Sequence, residues 1–250
     1  MKVSLITITF NSERTLEDTI QSVIAQDYPN IEYIIIDGKS KDGTMAIVDK
    51  YRSHISKVVC EPDRGLYDAM NKGWMHATGD IVGYINSDDF LACNDAVSAV
   101  VRAFQQDPSL DAVHADLYYV DAVDTNRIVR YWKTTDYQTG AFSKGWHPAH
   151  PTFYARRECY ERLGGFRLDL PLSADFELML RFIEVNKLKT QHLDKVLVRM
   201  RIGGATSRNV MSILHGIIQC RHSFKVNGVK APLYYPMLRL LPKLKQFIRK

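Results

Sequence analysis

A chain of 250 residues, 46% of them hydrophobic and 24% charged, is long enough to bury one large α/β core, or one domain with an appendage, and reads as globular. No uninterrupted apolar stretch of about 18 residues occurs and Met1-Lys2 leads straight into a strand pattern, which excludes a spanning helix and a signal peptide and places the expected location in the cytoplasm, including the inner face of the cell membrane. The net charge of +5 conceals an asymmetry: residues 1–194 carry a balance of −7, whereas the last 56 carry twelve Lys and Arg and no acid, so that this basic end calls for an anionic partner.

Residues 3–10 are β-branched and apolar, and Asn11 and Ser12 can cap a helix that places Leu16, Ile20, Val23 and Ile24 on one face. Residues 33–36 give a second buried strand ending in Asp37, followed by a Gly38 to Gly43 loop and a helical pattern through Ile47, Val48, Tyr51 and Ile55. A short third strand spans 58–60, a helix 67–77 and a fourth strand 81–85. This alternation predicts a mostly parallel sheet with right-handed crossovers and helices on both faces. The polar residues that follow each strand, Asn11, Asp37, Asp63 with Arg64, and Asp88 with Asp89, are then expected at one edge, where open α/β sheets bind ligands.

Beyond residue 95 the alternation loosens. Helices are predicted over 96–106, 157–163, 175–185 and 209–227, and strands over 112–119, 128–131, 152–154 and 197–200. Pro232, Pro236 and Pro242 divide the tail into short pieces. Cys60, Cys93, Cys159 and Cys220 are too widely spaced for a zinc or redox motif and read as reduced, mostly core residues.

The apolar run Ile81-Val82-Gly83-Tyr84-Ile85 ends abruptly in Asn86-Ser87-Asp88-Asp89. Paired carboxylates there suit a hard divalent cation held together with substrate phosphates, although such residues also form ordinary turns that cap the next helix. Asp175 opens an amphipathic helix, where an acid can serve as a general base or simply favour the helix dipole. His147 and His150 stand three apart without further ligands at recognisable spacing, which argues against zinc.

Taken in order, these motifs resemble the large inverting glycosyltransferase family two with the GT-A fold, of the bacterial exopolysaccharide and O-antigen type, over residues 1 to about 205. Thr9-Phe10-Asn11 resembles the family's first nucleotide-binding segment and Asp37 to Thr44 its second loop, with Gly38 where many relatives have another Asp. Asn86-Ser87-Asp88-Asp89 resembles its metal motif, with Asn at the first position; Ala174-Asp175-Phe176-Glu177-Leu178 its base motif; and Arg201 to Ser207 its late phosphate-side loop. The resemblance implies a catalytic domain over 1–205, with a nucleotide-binding half 1–95 and an acceptor half 96–205, and a basic helical extension over 206–250. It implies a nucleotide-diphosphate sugar as donor, contacted by Thr9, Asn11, Asp37, Arg64, Asp88, Arg201 and Ser207, with Mg²⁺ or Mn²⁺ on Asp88 and Asp89 and Asp175 as the base. His150 is expected at the acceptor, a hydroxyl of a polysaccharide or lipid-linked sugar; Glu177, two residues after Asp175 and facing elsewhere on the helix, reads as structural, with a contact to the acceptor as the alternative. The tail over 231–250 is expected on an anionic membrane surface. A nucleotidyltransferase of similar sheet is disfavoured by Asn11-Ser12-Glu13-Arg14, where a Gly-rich loop would stand; the carboxylates disfavour a non-enzymatic polyanion binder, and no nucleic acid is expected as partner.

Overall fold

The computed structural model describes residues 1–203, 210–235 and 238. Nine strands form one sheet, in the order β3-β2-β1-β4-β8-β6-β9-β5 with β7 on β6. The first four strands are β1 (Val3–Thr9), β2 (Ile31–Asp37), β3 (Lys57–Cys60) and β4 (Ile81–Tyr84). They pair in parallel, and β1 is buried on both faces, as its continuous apolar sequence requires. Helices α1 (Leu16–Ile24), α2 (Thr44–Lys50) and α3 (Leu66–His76) make the crossovers.

The second half is mixed rather than parallel. Strands β5 (Phe90–Leu91), β6 (Ala112–Val120), β7 (Ile128–Trp132), β8 (Tyr154–Arg156) and β9 (Thr190–Arg201) contribute one parallel pairing, β6 with β9; β4 with β8, β5 with β9, β6 with β7 and β6 with β8 are antiparallel. A parallel neighbour needs a crossover of about a dozen residues or more. The segment joining β6 to β7 is too short for one, and with β8 antiparallel to both of its neighbours the parallel expectation holds only for the first half. Helices α4 (Ala96–Gln106) and α5 (Arg157–Leu163) fall where the periodicity puts them.

Side chains of β1 divide two cores. Ile6 and Ile8 face the layer of α3, α6 (Ala174–Met179) and α7 (Val210–Val226), which includes Tyr67, Met70, Phe176, Phe182 and Phe224. Val3 and Leu5 face α1, α2 and α4 through Leu16, Ile20, Val48, Val97 and Phe104. Two of the four cysteines depart from the core expectation: Cys159 and Cys220 are buried, but Cys60 is exposed and Cys93 half-buried. Among the described residues no helix is long and apolar enough to cross a membrane.

Helix α7 is welded to α6. Phe224 and Tyr235 are fully buried and both rings pack on Phe176. Asn227 Nδ2 donates to Glu177 Oε1 at 3.0 Å. Arg181, one turn on, donates to both Glu177 oxygens at 2.9 and 3.1 Å and to the carbonyls of Leu163, Gly164 and Gly165. A π-helical turn, Leu180–Val185, follows α6 at this point. Arg181→Ala is therefore expected to lower folding stability by about 3–5 kcal/mol, because it leaves the Glu177 carboxylate buried without its counter-charge. Urea unfolding of the variant measures this; a loss near zero would show the ion pair to be dispensable.

Candidate active site

Strand register brings the loop residues together. Thr9 stands opposite Asp37 and Ile6 opposite Tyr84, so β1, β2 and β4 end at one edge. There Asn11 adopts φ 51°, a left-handed conformation that Asn tolerates better than most residues. Its N–H donates to Ser40 Oγ at 2.8 Å and its Oδ1 accepts from Lys41 N–H at 2.9 Å. Ser12 N–H donates to Thr44 Oγ1 at 2.7 Å, and the Ser12 and Ser87 hydroxyls meet at 2.8 Å. The three loops form one network. Thr9 Oγ1 is buried with no partner among the described residues, and so keeps unspent capacity toward this edge.

Asp37 is fully buried. Its carboxylate accepts from Ser40 N–H at 2.9 Å, Ser40 Oγ at 2.5 Å and Cys60 Sγ at 3.1 Å; the Cys60 thiol is held above its ordinary range first by that bond. Asp37 thus shapes the loop from within. A Cβ added at Gly38 would collide with the Asp63 carboxylate: glycine here leaves the space to Asp63. Arg64, by contrast, is exposed and pairs with Asp68 at 3.0 Å across the first turn of α3.

The metal motif divides in two. Asp89 is fully buried; its Oδ1 accepts from Arg201 N–H at 3.2 Å and its Oδ2 from Asn86 Nδ2 at 3.1 Å. Burial, and then the neighbouring Asp88 charge, push its carboxyl well above the usual range. Asp88 is half-buried, and its carboxyl is raised chiefly by burial. No side-chain donor among the described residues reaches it. The two carboxylates of the motif differ in placement: Asp89 is turned inward, held by the Arg201 N–H and by Asn86, and Asp88 is the more accessible of the pair. No group of three or more metal-ligating side chains occurs among the described residues. The donor set nonetheless fits Mg²⁺ or Mn²⁺, which are commonly bound through one or two carboxylates, water and substrate phosphates.

Arg201 also lies elsewhere than expected. Its guanidinium donates to the Asp88 carbonyl at 2.8 Å and pairs with Asp18, stacks 5.1 Å from the Phe90 ring, and is 7% exposed. Buried and committed in this way, it braces the Asp88 loop from behind rather than reaching out to phosphate. Nothing in the sequence pattern of α1 marked Asp18 as its partner. Ser207 lies outside the described residues.

Asp175 is half-buried in the first turn of α6 and accepts from Tyr67 Oη at 2.9 Å. Glu177 is fully buried in its ties to Arg181 and Asn227, so that its carboxylate is committed to packing α6 against α7. His150 is buried between Tyr84 and Phe166, with ring centroids at 5.5 and 5.4 Å. Its Nε2 has no partner among the described residues; burial holds the imidazole below its usual range, opposed by the Asp175 charge nearby. Tyr84 closes β4, and Phe166 packs on both Tyr84 and Tyr67. One aromatic cluster therefore carries both the strand that delivers Asp88 and the side chain that grips Asp175. Tyr67 was not legible as a site residue, because at its position in α3 it also satisfies the apolar face.

Comparison with known proteins gives a consistent result. Residues 4–164 match the model of the family described as glycosyl transferase family 2. An uncharacterised glycosyltransferase of Mycobacterium tuberculosis is 33% identical over 181 residues, 72% of this chain and 68% of that protein. Among solved structures, S. aureus TarS 1–349 in complex with UDP-GlcNAc superposes with a TM-score of 0.73 at 20% identity, covering 99% of this chain and 73% of the other. The mannosyltransferase PcManGT of Pyrobaculum calidifontis, in complex with GDP-Man and Mn²⁺, superposes at 0.67 and 23% identity over 97% of this chain and 69% of the other.

Proposed function

The chain belongs to glycosyltransferase family 2 and has the GT-A fold, and on that premise we propose that it is an inverting, divalent-metal-dependent hexosyltransferase. The donor is a nucleoside diphosphate sugar and the acceptor a hydroxyl of a polysaccharide or lipid-linked oligosaccharide. The observation that supports this reading is the pairing of roles at one sheet edge: Asp88 is a half-buried carboxylate without a side-chain donor, and Asp175, linked to the same strand through Tyr84, Phe166 and Tyr67, is oriented by a single hydrogen bond. Asp88, with Asp89 beside it and the donor phosphates, would hold the cation. When bound, Mg²⁺ or Mn²⁺ supplies Lewis-acid stabilisation of the departing diphosphate. Asp175 takes the proton of the acceptor hydroxyl as that oxygen attacks the anomeric carbon from the side opposite the diphosphate, and one displacement inverts the configuration. Thr9 and Asn11 line the nucleotide side, Asp37 and Arg201 hold its loops, and His150 offers its unpartnered Nε2 to the acceptor. Residues 1–205 form the catalytic unit, with nucleotide-binding and acceptor halves meeting near residue 95. Incubation with a panel of nucleotide sugars tests this. Release of nucleoside diphosphate is expected; release of pyrophosphate, or of nothing from any donor, would overturn it.

The basic end supports a location on an anionic membrane surface. A groove of about 440 Å³ along α7 is lined by Ile218, Arg221, His222, Phe224, Lys225 and Val229, and Leu233 and Tyr234 are 81% and 59% exposed beside it. Tyr235, however, belongs to the core, so it holds this stretch to the domain while Leu233 and Tyr234 stay exposed, and the basic part of the extension 206–250 follows it. Arg239, Lys243, Lys245, Arg249 and Lys250 lie outside the described residues. Near an anionic surface each contributes about 1 kcal/mol. A chain ending at Leu238, which keeps Tyr235 in place, is expected to lose most of its cosedimentation with phosphatidylserine vesicles, and binding by the full chain to weaken with salt. Equal binding by both chains would remove the tail from this role.

A further inference from the structure

The β3–α3 loop and the first turn of α3 belong, by sequence, to the donor side, yet α3 sends one side chain across to the other reactant. Gly65 takes φ 114° ahead of the helix, and Tyr67, two residues on, is 5% exposed. Its ring stacks on Phe166 at 5.6 Å and 20°, which fixes the plane of the phenol. Its hydroxyl then donates to Asp175 Oδ1 at 2.9 Å.

We propose that Tyr67 is the positioning residue of the base: by engaging Oδ1 of Asp175 it turns Oδ2 toward the acceptor hydroxyl and holds the carboxylate there. This rests on the reading of Asp175 as base. A carboxylate attached to a first-turn helical residue rotates freely about its terminal torsion unless something holds it, and no other side-chain donor among the described residues does so. Burial, and then the Asp175 charge, keep the phenol well above its ordinary range, so it remains a donor throughout the working pH range. His150 and Cys220 also face this pair. Acting through Asp175, to which its hydroxyl donates, Tyr67 should on removal leave donor binding alone and lower turnover.

The test is Tyr67→Phe, which keeps the ring on Phe166, measured beside Asp175→Asn with the donor selected by the nucleotide-sugar panel. The expected result for Tyr67→Phe is a fall in kcat of about ten- to a hundredfold, the range for one hydrogen bond to a charged group, with donor KM and Mn²⁺-dependent UDP or GDP binding unchanged. If Asp175→Asn is inactive while Tyr67→Phe shows wild-type kcat, the positioning role is wrong and the base assignment stands. If Tyr67→Phe instead raises donor KM at constant kcat, the residue serves the donor loop. Should Asp175→Asn retain full transfer, the base assignment falls and the Tyr67 proposal with it.

Discussion

Asp88→Asn is expected to abolish transfer, with a loss of at least about a thousandfold in kcat/KM and a matching loss of metal-dependent donor affinity, while the fold persists. The magnitude follows from what the carboxylate serves: Lewis-acid stabilisation of a leaving diphosphate amounts to several kcal/mol, and about 1.4 kcal/mol is tenfold in rate. Asn retains the shape and one oxygen but not the charge that a hard cation needs. The wild-type protein should also show the site thermally. Burial raises the carboxyls of both Asp88 and Asp89. The folded state therefore binds these protons more tightly than the unfolded chain, and the pair withdraws stability as pH rises from the ordinary carboxylate range through the raised values. Mn²⁺ with a nucleoside diphosphate offsets that loss at neutral pH, so Tm should rise on their addition to the wild type and stay put in Asp88→Asn. Near-wild-type turnover by the variant in saturating Mn²⁺ would falsify the metal assignment.

The division of labour between Asp88 and Asp89 illustrates what sequence can carry. The strand before them was legible because five apolar residues end in a polar run, and the delivery of carboxylates to the sheet edge follows from that pattern alone. Which of two adjacent acids faces outward depends on Arg201, 112 residues downstream, whose backbone N–H reaches Asp89. No local pattern encodes such a contact. The same holds for Glu177: its place on the helix does not name its partners, and the packing of α7, through Asn227, shows it to be a buried tie. Strands β1, β2 and β4 were found because parallel strands buried on both faces are continuous apolar runs; β3, an edge strand with exposed ends, shows only Val58 and Val59 of that pattern. Strand β9 was found only over 197–200, since its start, Thr190-Gln191-His192, is polar and half-buried. Those residues pair with β6 across register shifts at Asp116, whose carboxylate takes bonds from His192 and Tyr131. Propensity does not see a polar strand held by a buried carboxylate.

Asp175→Asn should separate chemistry from binding. The residue lies on α6, held by Tyr67 and near His150, whose imidazole feels its charge. Replacing the carboxylate by an amide removes the proton acceptor and leaves the helix start intact, because Ser173, the residue at its N-cap, supplies the backbone carbonyl that Glu177 N–H meets at 2.9 Å. A positioned general base contributes about a hundred- to ten-thousandfold, so kcat should fall by that factor while Mn²⁺-dependent donor affinity and Tm stay near the wild-type values. A fall in kcat with unchanged donor binding is the signature of an interaction made with the reacting acceptor rather than with the ground-state donor complex. Were Asp175 only a first-turn acid favouring the helix dipole, the same substitution would cost about 0.3–1 kcal/mol of stability and leave kcat alone. Calorimetric titration with the nucleoside diphosphate, thermal melting and single-turnover transfer, run on one preparation, distinguish the two: unchanged transfer with a lowered Tm would make Asp175 structural, and lost transfer at constant donor affinity would make it the base.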